Sequence, residues 1–335
     1  ITDAVLAVTY LCNSRCIMCN IWQIKDLPTM KTEDYLKLPA TLKDINISGG
    51  EPFLRPDLPK VIENIVKACP KASIIISTNG FSTDLIISKM KEIIKIKPDI
   101  GVSVSIDGVG EKHFEVRGIP QGFEKDLETL RKLREIGVRK LRIGFTAGDY
   151  NIEHLSKMYD LTRELKVEMT LAAVHNSENY FQIMTNKITR QEKFEREFNY
   201  LIKRELKTFN PKRWLRAYFA YGLLCFIKNH KRVLPSYCGI NSLYIDPDGW
   251  VFPTDVSTRR MGNIKDFNSL TELLASETAR KVQQGTDPAH WMVCTARVAI
   301  RKHAFEVIGW ILKMKFLLFF SHPAQPTPPG TNKNV

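Results

Sequence analysis

Short β-branched runs alternate with helical patterns from the start of the chain. Residues 4–10, 44–48, 73–77, 101–106, 141–146 and 167–174 read as strands. Most are nearly continuous apolar runs, the pattern of parallel strands covered on both faces. Between them, residues 32–38, 58–68, 83–96, 123–136 and 152–165 repeat apolar side chains at helical spacing. This alternation predicts an α/β fold with a parallel sheet and right-handed crossovers. About six such units over the first 175 residues make an open or partial (β/α)6 barrel. Chemistry in such folds sits at the C-terminal ends of the strands.

The pattern then changes. Residues 189–207 and 211–229 read as two long polar-to-amphipathic helices. Residues 237–253 place Asp246-Pro247-Asp248-Gly249 between two short β-rich runs, a hairpin signature. The reading is a core over residues 1–185 and a small α+β extension over 186–320, with the boundary near residues 181–189. The Pro-, Asn-, Thr- and Gly-rich residues 321–335 are expected to form a disordered tail. Residues 305–320 are strongly apolar but short for a membrane span and carry Lys313 and Lys315. They read as a packing helix or as an interfacial helix in peripheral contact with a membrane.

Composition narrows this picture little. The 335 residues are 44% hydrophobic and 25% charged, the profile of an ordinary globular protein rather than a disordered or fibrous one. A formal net charge of +13 fits a lysine-rich solvated surface, or contact with nucleic acid, anionic lipid or a phosphorylated substrate. The lysines are spread over many helices and no nucleic-acid motif is present, so no nucleic-acid partner is expected. No N-terminal signal-peptide pattern is visible, and three of the seven cysteines crowd into eight residues. That combination favours a reducing, cytoplasmic setting and a metal centre over disulfides.

The crowded cysteines are Cys12, Cys16 and Cys19, directly after the first strand. Soft thiolates suit an iron–sulfur cluster or zinc. Three of them hold three irons of a cubane and leave the fourth open, as a reactive site requires. Zinc completed by a remote ligand, or three thiols on one helix face, fits the spacing as well. Gly49 and Gly50 allow close backbone approach to a ligand, or simply a tight turn. Glu51 can accept hydrogen bonds from an ammonium group, and Arg117 can pair bidentately with a carboxylate or stay solvated. Ser105 and Asp107 face a cofactor or end a strand.

Taken in order, these segments resemble the radical S-adenosylmethionine superfamily over about residues 4–180. They are CNSRCIMC after strand one, Gly49-Gly50-Glu51-Pro52 after strand two and Ser77-Thr78-Asn79-Gly80 at strand three. Ser103–Gly108 at strand four, HFEVRG ending at Gly118, and Thr146 with Asn151 at strand five complete the series. The resemblance implies a 4Fe–4S cluster on the three cysteines. It also implies S-adenosylmethionine held by the Gly49–Pro52 segment at its amino group and by Arg117 at its carboxylate. Ser77, Asn79, Ser105, Asp107 and Thr146 would line the same site. The family usually has an aromatic residue before the third cysteine; Met18 stands there, with a thioether suited to packing on adenine, and Trp22 reads chiefly as a packing residue or else as a substitute aromatic. The implied activity is one-electron cleavage of S-adenosylmethionine to a 5′-deoxyadenosyl radical that abstracts a substrate hydrogen. A reductant such as flavodoxin or ferredoxin is implied with it. Peptide, carbohydrate and lipid-linked substrates stay open. The competing class is a non-catalytic zinc-binding or iron–sulfur electron-transfer protein.

Cys238-Gly239, residues 246–249 and 251–253, and the segment up to Cys294 resemble a SPASM or twitch extension, which carries auxiliary iron–sulfur clusters. The pattern is degenerate: Thr254, Asp287 and His290 occupy positions where cysteines are expected. An auxiliary cluster would draw on Cys238 and Cys294, with Cys225 and His290 as further ligands; a domain that has lost its cluster fits equally. Cys69 reads as a core residue.

Overall fold

A computed structural model describes residues 1–25, 28–285 and 290–320. Asp287 and the expected tail 321–335 lie outside the described residues. Six strands come first: β1 (Asp3–Ala7), β2 (Asp44–Ser48), β3 (Ser73–Thr78), β4 (Gly101–Ser105), β5 (Lys140–Ala147) and β6 (Glu168–Ala173). They pair in parallel, each with the next. The crossovers carry helices α1 (Leu58–Ala68), α2 (Thr83–Ile96), α3 (Glu111–Arg117), α4 (Gly122–Glu135) and α5 (Leu155–Glu164). The connection expected as a helix at 32–38 is a six-residue 3-10 turn.

Every second position explains the curvature and the cavity. Ile45 and Ile47 of β2, Ile74 and Ile76 of β3, Val102 and Val104 of β4, and Ile143 and Phe145 of β5 are buried in the main core. The intervening Asp44, Asn46 and Ser48, Ser77, Ser103 and Ser105, and Arg142 and Thr146 line an interior cavity instead. The strands are therefore not apolar on both faces: a greasy outer face packs on helices and a small-polar inner face surrounds a space. On α1, Leu58, Val61, Ile62 and Ile65 recur at the 3–4 spacing that forms one helix stripe, and all four are buried.

The remaining chain closes one side. Helices α6 (Gln191–Leu206) and α7 (Pro211–Asn229) pack on each other. Asn210 caps α7 by accepting from the Lys212 amide, and Pro211 takes the first helical position. Strands β7 (Ser242–Ile245), β8 (Trp250–Phe252) and β9 (Gly262–Asn263) follow, and the sheet order is β6-β5-β4-β3-β2-β1-β7-β8-β9. The expected hairpin is thus present as β7–β8, but it continues the barrel's own sheet because β7 pairs in parallel with β1. The sheet is not closed: β6 and β9 are its edges. Short helices α8 (Leu270–Ala275) and α9 (Glu277–Gln284) lead to α10 (Val293–Lys302), which lies against β1 and β7. Arg297 of α10 reaches the buried Asp3 at 2.7 Å and Asp44 at 3.0 Å. The last helix, α11 (Ala304–Phe320), packs on α6 and α7 through Val307, Ile311 and Trp310. Among the described residues no helix is long and apolar enough to cross a membrane.

Candidate cofactor site

The loop after β1 carries the three cysteines, and two neighbours fix its path. On one side it runs beside the exit of β2: the Gly50 amide donates to Thr9 O at 2.8 Å and the Glu51 amide to Leu11 O at 2.7 Å. Gly49 has φ +139°, and a Cβ there would strike the Thr9 carbonyl. A Cβ on Gly50 would strike the Leu11 carbonyl and lie 2.6 Å from that of Tyr10. Both glycines also border the cavity. Their lack of a side chain is thus demanded first by the cysteine loop.

On the other side the loop hydrogen-bonds to the end of α3. The Arg15 amide donates to Arg117 O and the Ile17 amide to Val116 O, both at 3.0 Å. Gly118 ends α3 in the left-handed conformation at φ 72°, and a Cβ there would come within 2.7 Å of Arg15 Cβ. So clamped, Cys12, Cys16 and Cys19 share one wall of a cavity of about 330 Å³. Burial, the main cause, pushes the Cys12 thiol up to about 11 and the Cys19 thiol to about 12. Ser14 Oγ lies 3.0 Å from Cys16 Sγ and Arg117 Nη1 donates to it at 3.7 Å.

Arg117 is braced by Asp107, whose Oδ2 accepts from Nε at 2.6 Å. Burial works against the guanidinium charge, but Asp107 and Cys16 outweigh it and hold the arginine ionised. Asp107 Oδ1 accepts the Thr146 amide at 2.6 Å, and Asn151 Nδ2 donates to Asp107 O at 2.9 Å. Asp107 therefore stands behind the wall, while Arg117, Ser105 and Thr146 form it.

Met18, Gly49, Gly50, Ser77, Asn79, Ser105, Arg117 and Thr146 all border the cavity with the three thiols. Glu51 and Pro52 do not. The Glu51 carboxylate is fully buried and turned into the protein, accepting from Phe53 N at 3.1 Å, Thr78 Oγ1 at 2.9 Å and Asn79 N at 2.7 Å. Through these contacts it ties the end of β3 to the glycine turn. Burial lifts it to about 7 against those three donors. Pro52 is buried at the start of a 3-10 turn. Trp22, read chiefly as packing, is on the wall, with Nε1 donating to Cys19 O at 2.9 Å.

The cavity is also lined by residues that the sequence did not single out. Tyr180 spans to the glycine turn, its hydroxyl 2.7 Å from Ser48 Oγ and 3.1 Å from Gly49 O. His175 Nε2 lies 3.3 Å from Asp255 Oδ2. Burial pushes the Asp255 carboxyl up, but His175 and His290 reverse this and hold it below the usual carboxylate range. Polar residues at period two inside the strands were the available signal for Asn46 and Arg142; His175 and Tyr180 lie beyond strand six and had none.

The expected auxiliary ligands are only partly gathered. Cys294 lines the cavity and interacts electrostatically with Asp255 and Cys238. His290 Nε2 is 3.8 Å from Asp255 Oδ1. Arg232 interacts with both Cys238 and Cys294, and its Nη1 donates to His290 O. Cys225 does not join them: it lies on α7 beside Tyr221 and Lys228. Among the described residues no three His, Cys, Asp or Glu side chains converge as ligands of one metal ion. A single tetrahedral zinc would need thiolate sulfurs about 3.8 Å apart; a cubane spreads its three cysteines more widely.

This is a parallel partial barrel with three loop thiols and an arginine–aspartate pair at the C-terminal ends of its strands. Residues 6–162 match the model of the radical SAM superfamily, and this domain of the chain belongs to that superfamily. Its members use a 4Fe–4S cluster and S-adenosylmethionine, and the donors here fit both: three soft thiols for the cluster, a cationic Arg117 for a carboxylate. A probable GTP 3',8-cyclase of Methanococcus maripaludis is 29% identical over 167 residues, 48% of this chain and 54% of that protein. An Fe-coproporphyrin III synthase of Methanosarcina barkeri is 31% identical over 171 residues, 48% of this chain and 40% of that protein. The chain thus spans about half the length of these curated relatives. The fold matches native anSMEcpe with bound AdoMet, with TM-score 0.64 and 17% identity over 95% of this chain and all of that one. It also matches Streptococcus suis SuiB bound to its precursor peptide SuiA, with TM-score 0.59 and 15% identity over 84% of this chain and 66% of that one.

Proposed function

We propose that the protein is a radical S-adenosylmethionine enzyme that cleaves the cofactor reductively and takes a hydrogen atom from a substrate held in the barrel. The observation that carries this is that Cys12, Cys16, Cys19, the Gly49–Gly50 turn and Arg117 line one cavity. Bound there, a 4Fe–4S cluster and S-adenosylmethionine supply one electron and a primary carbon radical. The chain does the rest. Arg117, held by Asp107, binds the cofactor carboxylate; the backbone of Gly49 and Gly50 meets its amino group; Met18 and Trp22 offer apolar surface to its adenine. Ser77, Asn79, Ser105 and Thr146 supply polar contacts around it. The enclosing strands and α10 keep water from a reactive species.

The electron donor is a low-potential protein such as flavodoxin or ferredoxin, and the setting is the reducing cytoplasm, which suits an oxygen-sensitive cluster. Peptide, carbohydrate and lipid-linked substrates all remain within this reading. Anaerobic reconstitution with iron and sulfide tests the cofactor. About four irons and four sulfides per chain are expected; zinc bound in preference to iron would instead favour a non-catalytic metal-binding protein.

A further inference from the structure

At the opposite end of the barrel the cavity continues into a second space of about 430 Å³, bounded by β5, β6, α7 and α10. Asp44, Arg142, Thr170, Val293 and Arg297 border both spaces, so this mouth adjoins the cavity of the cysteine loop. Its charges do not balance. Arg142, Lys212, Arg216, Arg297 and Arg301 line it. Arg297 and Arg301 are matched by Asp3 and Asp44. The other three share one carboxylate, Glu168: Arg142 Nε at 3.3 Å, Arg216 Nη2 at 2.7 Å, and Lys212 Nζ. Glu205, also on the wall, is taken by Arg213 at 3.1 Å. Two positive charges are left over.

Arg142 is the telling residue. It sits on the inner face of β5, in line with Gly144 and Thr146 and directly across from Glu168 of β6. Its Nε is buried and makes no hydrogen bond; its contact with Glu168 Oε2 at 3.3 Å is an ion pair that Glu168 divides among three cations. A guanidinium merely tying helices to the sheet would use its donors on the protein. Three cations around one carboxylate on a cavity wall leave a positive excess that an anion can meet.

We propose that this mouth binds an anionic group of the substrate, a phosphate or a carboxylate, with Arg142, Arg216 and Lys212 as its ligands. This rests on the proposed function, since it gives the substrate class of that same barrel. Arg142 and Thr146 are four residues apart on β5, or about 13 Å along the strand. The substrate is thus an anion whose reacting carbon lies within about that distance of its charged group. A neutral carbohydrate and an uncharged peptide are disfavoured.

The test uses reconstituted protein with S-adenosylmethionine, titrated calorimetrically with inorganic tripolyphosphate and separately with citrate at low ionic strength. Binding of at least one probe tighter than about 1 mM is expected. The preferred probe says whether the natural group is phosphate or carboxylate. Arg142→Gln should weaken that binding at least tenfold, and Lys212→Gln, a change at a largely exposed position that spares folding, should weaken it severalfold and flatten its salt dependence. Binding of neither probe, or equal binding by wild type and Lys212→Gln and Arg142→Gln, would overturn the proposal. Release of 5′-deoxyadenosine under dithionite is measured on the same preparation. Anion binding without it overturns the radical reading while the anion site stands; the reverse result overturns the anion site alone.

Discussion

Arg117 donates through Nε to Asp107 Oδ2 at 2.6 Å, while the other oxygen of the same carboxylate takes the Thr146 amide at 2.6 Å. One buried aspartate thereby sets the position of the arginine on α3 and of the end of β5. Arg117 in turn offers its backbone oxygen to the cysteine loop and its Nη1 to Cys16 Sγ. Cluster loop, cofactor-facing arginine and barrel rim form one connected unit.

Removing the aspartate charge should therefore be felt widely. Asp107→Asn leaves Arg117 largely buried without a counter-charge, which costs about 3–5 kcal/mol in comparable buried pairs. A clear drop in Tm is expected, together with at least tenfold weaker binding of S-adenosylmethionine by calorimetry. Wild-type values for both would show that Asp107 does not hold the arginine.

Gly50→Val separates two explanations of the glycine turn. If Gly50 only made room for a ligand, the variant would keep its cluster and lose cofactor affinity. The clash with the Leu11 and Tyr10 carbonyls predicts otherwise. The cysteine loop must shift, so iron and sulfide per chain should fall along with affinity. Full cluster content in this variant would contradict the packing account.

Glu51 makes a prediction about pH. Its carboxyl rises from an ordinary 4.5 to about 7 in the folded protein, mainly through burial. A carboxyl raised by folding contributes stability that is fully present below the unfolded value and is lost as pH climbs through the folded one. Wild type should thus lose stability between pH 5 and pH 8, by at most about 3 kcal/mol. Glu51→Gln, which does not titrate, should show a flatter profile over that window in thermal melts. Parallel profiles would mean that the three donors keep Glu51 ionised throughout.

Local pattern carried much of this. The order of six strands, the helices α1, α2, α4 to α7 and α11, and the placement of the cysteine triplet directly after β1 are legible because each rests on residues near one another in sequence. Less visible was the polar inner face: Ile45, Ile47, Ile74 and Ile76 dominate their strands and hide the alternating Asn46, Ser48 and Ser77. The pairing of β7 with β1 joins residues more than 200 positions apart, and nothing local specifies it. Helix α3, at seven residues, is too short for a periodic signal. The protein partners of Glu51 were hidden for a related reason: a GGE turn does not reveal that its carboxylate also accepts from Thr78 and Asn79 at the end of β3.

The C-terminal cysteines give a countable outcome. Cys238 and Cys294 are neighbours, but their surroundings are Asp255, His290 and the Arg232 guanidinium, and Cys225 stands elsewhere. The expected content is about four irons per chain, and a variant with Cys12, Cys16 and Cys19 all changed to Ala should be colourless. About eight irons, or iron–sulfur absorbance persisting in that variant, would establish an auxiliary cluster.

The central claim is tested most directly by anaerobic incubation of the reconstituted protein with S-adenosylmethionine and dithionite, with 5′-deoxyadenosine measured by chromatography. Wild type should release it, and Cys16→Ala should release none while keeping its fold by circular dichroism. No product from cluster-loaded wild type, or continued product from Cys16→Ala, would contradict the account.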